Sequence, residues 1–424
     1  MGGKLFLLLI VASGAFIGPS GAGEKPDAGL ITVACTSTLA IHSASETCSQ
    51  SPEDLLGSAL LAGEYLLEHQ KDNGMFDYLY DPLLDRNLVD YNLLRHAGTC
   101  YSLVLLYEVS RDARYLRAAH RGLDFLCRHL KEPRPEHQDR DFRALVTGDP
   151  PEGNLGGTAL SILALVEYRL STGDRSRDRL LEQMGQFLRF QQEDSGQFRH
   201  KYLYDSVKES TFESEYYPGE AIFSLVRLYS IERDPSWLKT AEQGALWLIQ
   251  QRDSQIDDSA LNHDHWLLMA LNELYAISRS SIFIDHGMRI ARVIVESQRK
   301  EDQPSEWKGS WGDPPRCSPA ATRAEGLVAA YFLALEGHRD KDQFLLPLKA
   351  AAAFIRRCQL TAGQVESLPN PEHALGGFRG SLEDWSIRID YNQHAVCALL
   401  GLREILLERE EKSTATQGIR IPPQ

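Results

Sequence analysis

Two stretches of this 424-residue chain carry one tripeptide, Asp90-Tyr91-Asn92 and Asp390-Tyr391-Asn392, and each is followed by a histidine, His96 or His394. A carboxylate near an imidazole can pass a proton, so either cluster could supply a general acid and base. Arg95 and Arg388 stand in the same stretches, and Arg95 could meet an anion. Other ionisable residues gather before or just inside apolar runs: Glu213, Glu215 and Glu220, then His263, Asp264 and His265, then Arg323 and Glu325. A carboxylate one turn into an apolar helix is costly unless paired. Arg95 and Arg323 are the expected partners of Glu220 and Glu325. Plainer readings stand beside these. Asp90 and Asp390 fit helix N-caps, His96 and His394 fit satisfied core histidines, and Glu213 and Glu215 fit solvated loop charge.

The elements that must position these residues are helices of two alternating kinds. One kind is amphipathic and ends in Gln or charge: 54–71, 113–131, 175–192, 235–251, 282–298 and 343–359. The other is apolar nearly all round: 91–109, 156–170, 216–231, 263–278, 320–336 and 391–407. No sustained two-residue alternation marks a sheet. Asp112 and Asp234 read as caps of amphipathic helices. Helix ends repeat a Gln-to-Gly-aromatic unit, as in Gln70 to Gly74-Met-Phe76 and Gln191-Gln192 to Gly196-Gln-Phe198, with Gly309-Ser-Trp311 and Gly376-Gly-Phe378 in later loops. Links from apolar to amphipathic helices are short, and links the other way are mostly long. The long loops and the first turns of the apolar helices therefore share one face. An internal repeat of this kind decides the fold: an all-α (α/α)6 toroid, six inner helices inside six outer ones. Closure would set the first and sixth inner helices side by side and bring Asp90, His96, Asp390 and His394 into one cleft. Six helix N-termini converge there and favour anions.

Aromatic residues crowd the same loops. Phe76, Phe198, Trp311 and Phe378 recur with the repeat and read as plugs that seat the loops. Tyr78, Tyr80, Tyr202, Tyr204 and Trp385 are better placed to stack on the apolar faces of sugars.

The net charge of −14 argues against a nucleic-acid partner, and the 43% hydrophobic and 25% charged fractions are those of an ordinary globular chain. Lys4 before an apolar run, with Ser20-Gly21-Ala22 after it, reads as a signal peptide over 1–22 and predicts export. Residues 23–51 read as a linker, 52–408 as the toroid and 409–424 as a disordered tail. The mature chain is expected to have no membrane span. Seven cysteines show no disulfide framework, although Cys35 and Cys48 could pair. No CxxC, HExxH or Cys-His pair is present, so neither a structural zinc site nor any other cofactor is indicated.

The alternating helices and loop lengths resemble the six-hairpin glycosidase-like superfamily, whose toroids include glycoside hydrolases, uronate epimerases and polysaccharide lyases. The resemblance covers about residues 52–408 and rests on architecture. It implies substrate binding over the inner-helix N-termini and an exported carbohydrate-active enzyme with an acidic glycan as substrate. Hydrolysis needs two carboxylates about 5–10 Å apart, with Asp90, Glu215, Glu220, Glu325 and Asp390 as candidates. Epimerisation or β-elimination at a uronate needs a base and a cation against the carboxylate. His96, His394, Tyr91 or Tyr391 with Arg95 or Arg323 could supply them. Asn92, Asn392, Tyr217 and His265 complete the expected substrate contacts. The alternatives are a non-catalytic glycan-binding or assembly protein and a terpenoid cyclase-like toroid. The latter resemblance rests on the Gln-to-Gly-aromatic units but lacks a DxDD run.

Overall fold

The computed structural model describes residues 50–206, 208–300 and 304–417. The proposed leader, most of the linker, Cys35 and Cys48 lie outside the described residues.

The outer helices are α1 (Pro52–Glu68), α3 (Ala113–Cys127), α5 (Asp178–Phe190), α7 (Pro235–Trp247), α9 (Ser281–Glu296) and α11 (Leu345–Arg357). The inner helices are α2 (Leu93–Ser110), α4 (Leu155–Thr172), α6 (Tyr217–Glu232), α8 (His265–Ser278), α10 (Cys317–Glu336) and α14 (Ile389–Gln417). Two short helices, α12 (Ala362–Val365) and α13 (Pro371–Ala374), lie in the last long loop. Asp112 and Asp234 cap as expected, accepting from the Arg114 and Ser236 amides at 2.9 and 2.8 Å. Each inner helix packs on the next, and α14 packs back on α2, so the ring closes. The inner helices are buried nearly all round, which is why their sequences lack a polar face. α14 runs past residue 408, so the start of the expected disordered tail is helical. Among the described residues no helix is long and apolar enough to cross a membrane.

The repeated Gln-to-Gly-aromatic unit is a clamp. Gln70 Nε2 donates to Gly74 O at 3.3 Å and, across to α3, to Ala118 O at 2.8 Å. Gln192 does the same to Gly196 and to Thr240 of α7, and Gln298 to Gly309 and to Pro347 of α11. The last copy closes the circle: Gln359 donates to Gly376 O at 3.1 Å and to Ser58 O of α1 at 2.9 Å. The four glycines have φ of 87–95°, and a Cβ at Gly376 would stand 2.3 Å from Leu61 O. Only glycine fits both demands. Phe76, Phe198, Trp311 and Phe378 are buried behind the clamps, as plugs should be.

Sequence reading missed two small antiparallel sheets in the long loops. One orders β2 (Arg86–Asn87), β1 (Leu79–Asp81) and β7 (Ile387–Arg388), and so joins the first long loop to the last. The other orders β3 (Leu130–Lys131), β4 (Ala144–Thr147), β5 (Glu152–Asn154) and β6 (Lys201–Leu203). Strands of two to four residues are too short to show a two-residue period.

Candidate active site

A cavity of ≈ 210 Å³ opens over the starts of the inner helices, lined by Arg95, Tyr216, Glu220, His265, Trp266, Arg323, Asp390, Gln393 and His394, among others. α2, α6, α8, α10 and α14 each contribute. Glycines let these helices approach: a Cβ at Gly219 would meet Leu267 N at 2.7 Å and Asp264 at 2.9 Å.

Two histidines face each other here. The rings of His265 and His394 have centroids 5.5 Å apart and lie edge to face. His394 Nδ1 is 2.7 Å from Glu325 Oε1. One proton lies between those atoms whichever of them holds it, and Nε2 is left for the cavity. His265 is buried, and neither of its ring nitrogens has a hydrogen-bond partner in the structure. Burial first, then the neighbouring His394 and Arg323, push its pKa well below the usual histidine value. The ring is therefore neutral at neutral pH and keeps an unused lone pair at the cavity wall.

Two buried carboxyls stand at the same end of the ring, Glu220 in the cavity wall and Asp264 one residue before His265. Burial, then the charge of Asp264, pushes Glu220 up to about 8. Burial also pushes Asp264 up to about 7, although it caps α8 by accepting from Leu267 N at 3.0 Å. Glu220 Oε2 and Asp264 Oδ2 are both buried without hydrogen-bond partners in the structure. Glu220 is thus a protonated acid at neutral pH.

The cations differ in how they are held. Asp390 takes Arg388 on both oxygens at 2.5 and 2.9 Å and Arg95 Nε at 3.2 Å. Arg95 also donates to the Tyr78 hydroxyl. Arg323 donates to His263 Nδ1 at 2.7 Å and to Pro319 O at 2.9 Å and pairs with no described carboxylate. Burial lowers its pKa, the signature of a guanidinium held out of water without a counter-charge.

Of the residues singled out from sequence, Glu220, His265, Arg323, Glu325, Asp390, His394 and Arg95 come together here. Others do not. Asp90 is exposed and its carboxylate only accepts from the Tyr91 amide at 2.8 Å. His96 is a core histidine, fully buried between the Tyr91 hydroxyl at 2.7 Å and Gly122 O at 2.8 Å. Asn92 is the N-cap of α2, accepting from Arg95 N at 3.1 Å, whereas Asn392 receives Phe378 N at 3.0 Å and seats a plug. Tyr391 is buried beneath Arg388. Tyr80 is buried on the Asp85 carboxylate, and Tyr78 is spent on Arg95. Tyr202 is buried in β6 with its hydroxyl on Arg134 N and His137, Tyr204 packs on it, and Trp385 lies under Arg379. Tyr217 accepts from Asn154 at 3.1 Å. Glu215 lines an adjoining cavity of ≈ 240 Å³ with His200, Glu213 and Arg252. The expected Arg–Glu pairs do not form: Arg95 takes Asp390, and Glu325 takes His394. Sequence reading passed over Trp266, whose only signal is its place directly after His265. A larger groove of ≈ 640 Å³ lies on the outer wall, but its Asp141 is already held by Arg179 and Gln183.

One ligand atom each from His265, Glu325 and His394 lies within 4.8 Å of the other two. Such a set could hold a metal ion. The 2.7 Å contact between His394 and Glu325 is hydrogen-bond distance, and a metal between them would require it to open to roughly 3.3 Å, given metal–ligand bonds of about 2.0–2.1 Å.

No family model and no curated protein matches this sequence. Solved structures do. The chain is similar to a D-mannose isomerase, at 15% identity over 84% of this chain and 99% of that one, with a TM-score of 0.62. It is similar to an α-1,6-mannanase from Salegentibacter sp., at 14% identity over 83% and 99%, TM-score 0.57. It is also similar to the cellobiose 2-epimerase of Spirochaeta thermophila, at 16% identity over 84% and 96%, TM-score 0.59. At such identities the likeness is one of fold. It bears out the (α/α)6 toroid and the architectural resemblance read from the sequence.

Proposed function

We propose that the chain is a carbohydrate-processing enzyme that moves a proton at a carbon next to a sugar carbonyl, in an epimerisation or isomerisation, and that its substrate carries a negative charge. The observation that carries this reading is the pair of histidines: His265 with an unused lone pair in the cavity wall, and His394 oriented by Glu325 beside it. In this reading His265 takes the carbon-bound proton, and the electron pair moves onto the carbonyl oxygen to give an enediolate. His394, carrying a proton on Nε2 with Glu325 against Nδ1, then gives that proton to the opposite face of the same carbon in an epimerisation. In an isomerisation it gives the proton to the former carbonyl carbon, while the neighbouring hydroxyl passes its proton to the other oxygen. Exchange with solvent restores both histidines. Arg95, fixed by Asp390, stands where it can steady the oxyanion. Arg323, without a carboxylate of its own, takes the acidic group of the sugar. A cavity of ≈ 210 Å³ is smaller than the roughly 300–1,000 Å³ of drug-sized sites and suits one sugar ring better than a long chain. The isomerase and 2-epimerase among the similar structures fit this chemistry.

The test is proton exchange. Reducing aldoses, ketoses and uronates incubated with the protein in D2O are expected to gain deuterium at the carbon next to the carbonyl, as read by NMR. His265→Asn and His394→Gln should each abolish exchange while leaving the thermal melt within a few degrees. Exchange that survives both changes would remove the reading.

A second reading, glycoside cleavage, draws on Glu220, which is a protonated acid at neutral pH, and on the mannanase among the similar structures. An inactive variant of that mannanase has two consecutive aspartates replaced. The one Asp-Asp pair here, Asp257-Asp258, is spent at Asp258 on Arg289 and Arg292. New reducing ends from acidic oligosaccharides, without deuterium uptake, would favour cleavage. Export through residues 1–22 belongs to the same proposal; mature protein that keeps Met1 would contradict it.

A further inference from the structure

Away from the cavity, three side chains meet where the ring closes. His69 follows α1, Asp77 lies in the first long loop, and His373 lies in α13 of the last. One ligand atom from each lies within 4.8 Å of the other two. His69 is 1% exposed. Its Nε2 is 2.8 Å from the His373 carbonyl oxygen. A carbonyl can only accept, so Nε2 carries the proton and Nδ1 keeps its lone pair. That Nδ1 is buried and has no hydrogen-bond partner in the structure. It faces Asp77 Oδ2 at 3.8 Å. Lys71 meets the other oxygen of Asp77, Oδ1, at 2.8 Å. A buried lone pair set against a carboxylate oxygen is two acceptors facing each other, an arrangement that calls for a cation between them.

We propose that His69 Nδ1, Asp77 Oδ2 and a ring nitrogen of His373 hold a divalent transition-metal ion, zinc being the best fit, with water in the fourth position. Imidazole and carboxylate ligands suit zinc, and a tetrahedral centre with bonds of about 2.0–2.1 Å sets its ligands roughly 3.3 Å apart. The 3.8 Å separation of His69 and Asp77 needs little closing. The His373 ring lies 3.9 Å from His69 and is tilted by 37°, and this half-buried side chain turns to aim its nitrogen. The His373 carbonyl that receives His69 Nε2–H is the outer partner that fixes the tautomer and orients a metal-binding histidine. The three ligands come from opposite ends of the sequence, so no short motif announces them. Such an ion would fasten the first long loop to the last, beside the clamp of Gln359 on Ser58.

The full chain, stripped with chelator and dialysed, should bind one equivalent of Zn²⁺, measured by elemental analysis, and melt at a higher temperature when loaded. Co²⁺ in its place should give visible ligand-field bands. His373→Gln and Asp77→Asn should each lose the equivalent and the melting shift. His394→Gln, which breaks the other possible ligand set, should keep both. Should Asp77→Asn fail to fold, His373→Gln decides alone, because its side chain is half exposed. Absence of Zn²⁺ binding by the unmodified chain overturns the proposal, as does an equivalent retained by His373→Gln or lost in His394→Gln.

Discussion

Single atoms carry the argument for the cavity, and their protonation can be tested without knowing the substrate. Burial, then the charge of Asp264, pushes the Glu220 carboxyl up to about 8 from an ordinary 4.5. A raised pKa contributes stability that is fully present below pH 4.5 and lost as pH rises through 8. Glu220→Gln is neutral throughout. Its melting temperature relative to the unmodified protein should therefore climb between pH 4.5 and 8 and level off above; a flat difference would show that Glu220 is not held protonated. Arg323→Ala should raise KM for acidic sugars at least tenfold, about 1.4 kcal/mol, and leave neutral sugars nearly unchanged. Equal losses for both would assign Arg323 to the shared chemistry. Most of this constellation was legible as polar residues at the starts of apolar helices. The error lay in register. His96 is the fourth residue of α2, but His394 is the sixth of α14. Two residues at about 100° each turn a side chain to nearly the opposite face. The shared tripeptide hid this because Asn92 caps its helix while Asn392 lies inside one.

At the scale of elements, the inner helices are held by more than apolar contact. Arg227 of α6 donates to Glu167 of α4 and, at 3.2 Å, to Glu273 of α8. All three are buried or nearly so. Removing one member of such a network strands charge without a partner, which costs about 3–5 kcal/mol. Arg227→Ala should lower the unfolding free energy by that amount, read as a fall in the urea midpoint with an unchanged slope, while activity per folded molecule persists. A shift under about 1 kcal/mol would mean that water reaches the carboxylates. None of this network was foreseen, since burial of Arg227 depends on three helices converging from distant sequence. The repeated unit and its aromatic plugs were foreseen because Gln, Gly and an aromatic ring recur at fixed places, but the bonds by which each Gln clamps the next outer helix were not. The short strands were not, because pairing between loops leaves no local period.

The ring as a whole was the most legible level, since long and short links alternate regardless of side-chain detail. Its geometry carries a further consequence. Short links such as 110–113, 232–235 and 278–281 each lead from an inner helix to the next outer one. Between the sixth inner helix and the first outer helix the chain makes no link, although α14 packs on α1 and Gln359 reaches Ser58. The covalent order could therefore be rotated around the circle. A circular permutant that joins residue 408 to residue 51 through a short Gly-Ser tether and opens at Arg233-Asp234 keeps every clamp, every inner contact and the cavity. It should melt within a few degrees of the parent and keep its activity. A permutant that fails to fold would mean the ring must be wound from α1 onward, with synthesis order, and not only final contacts, written into the structure.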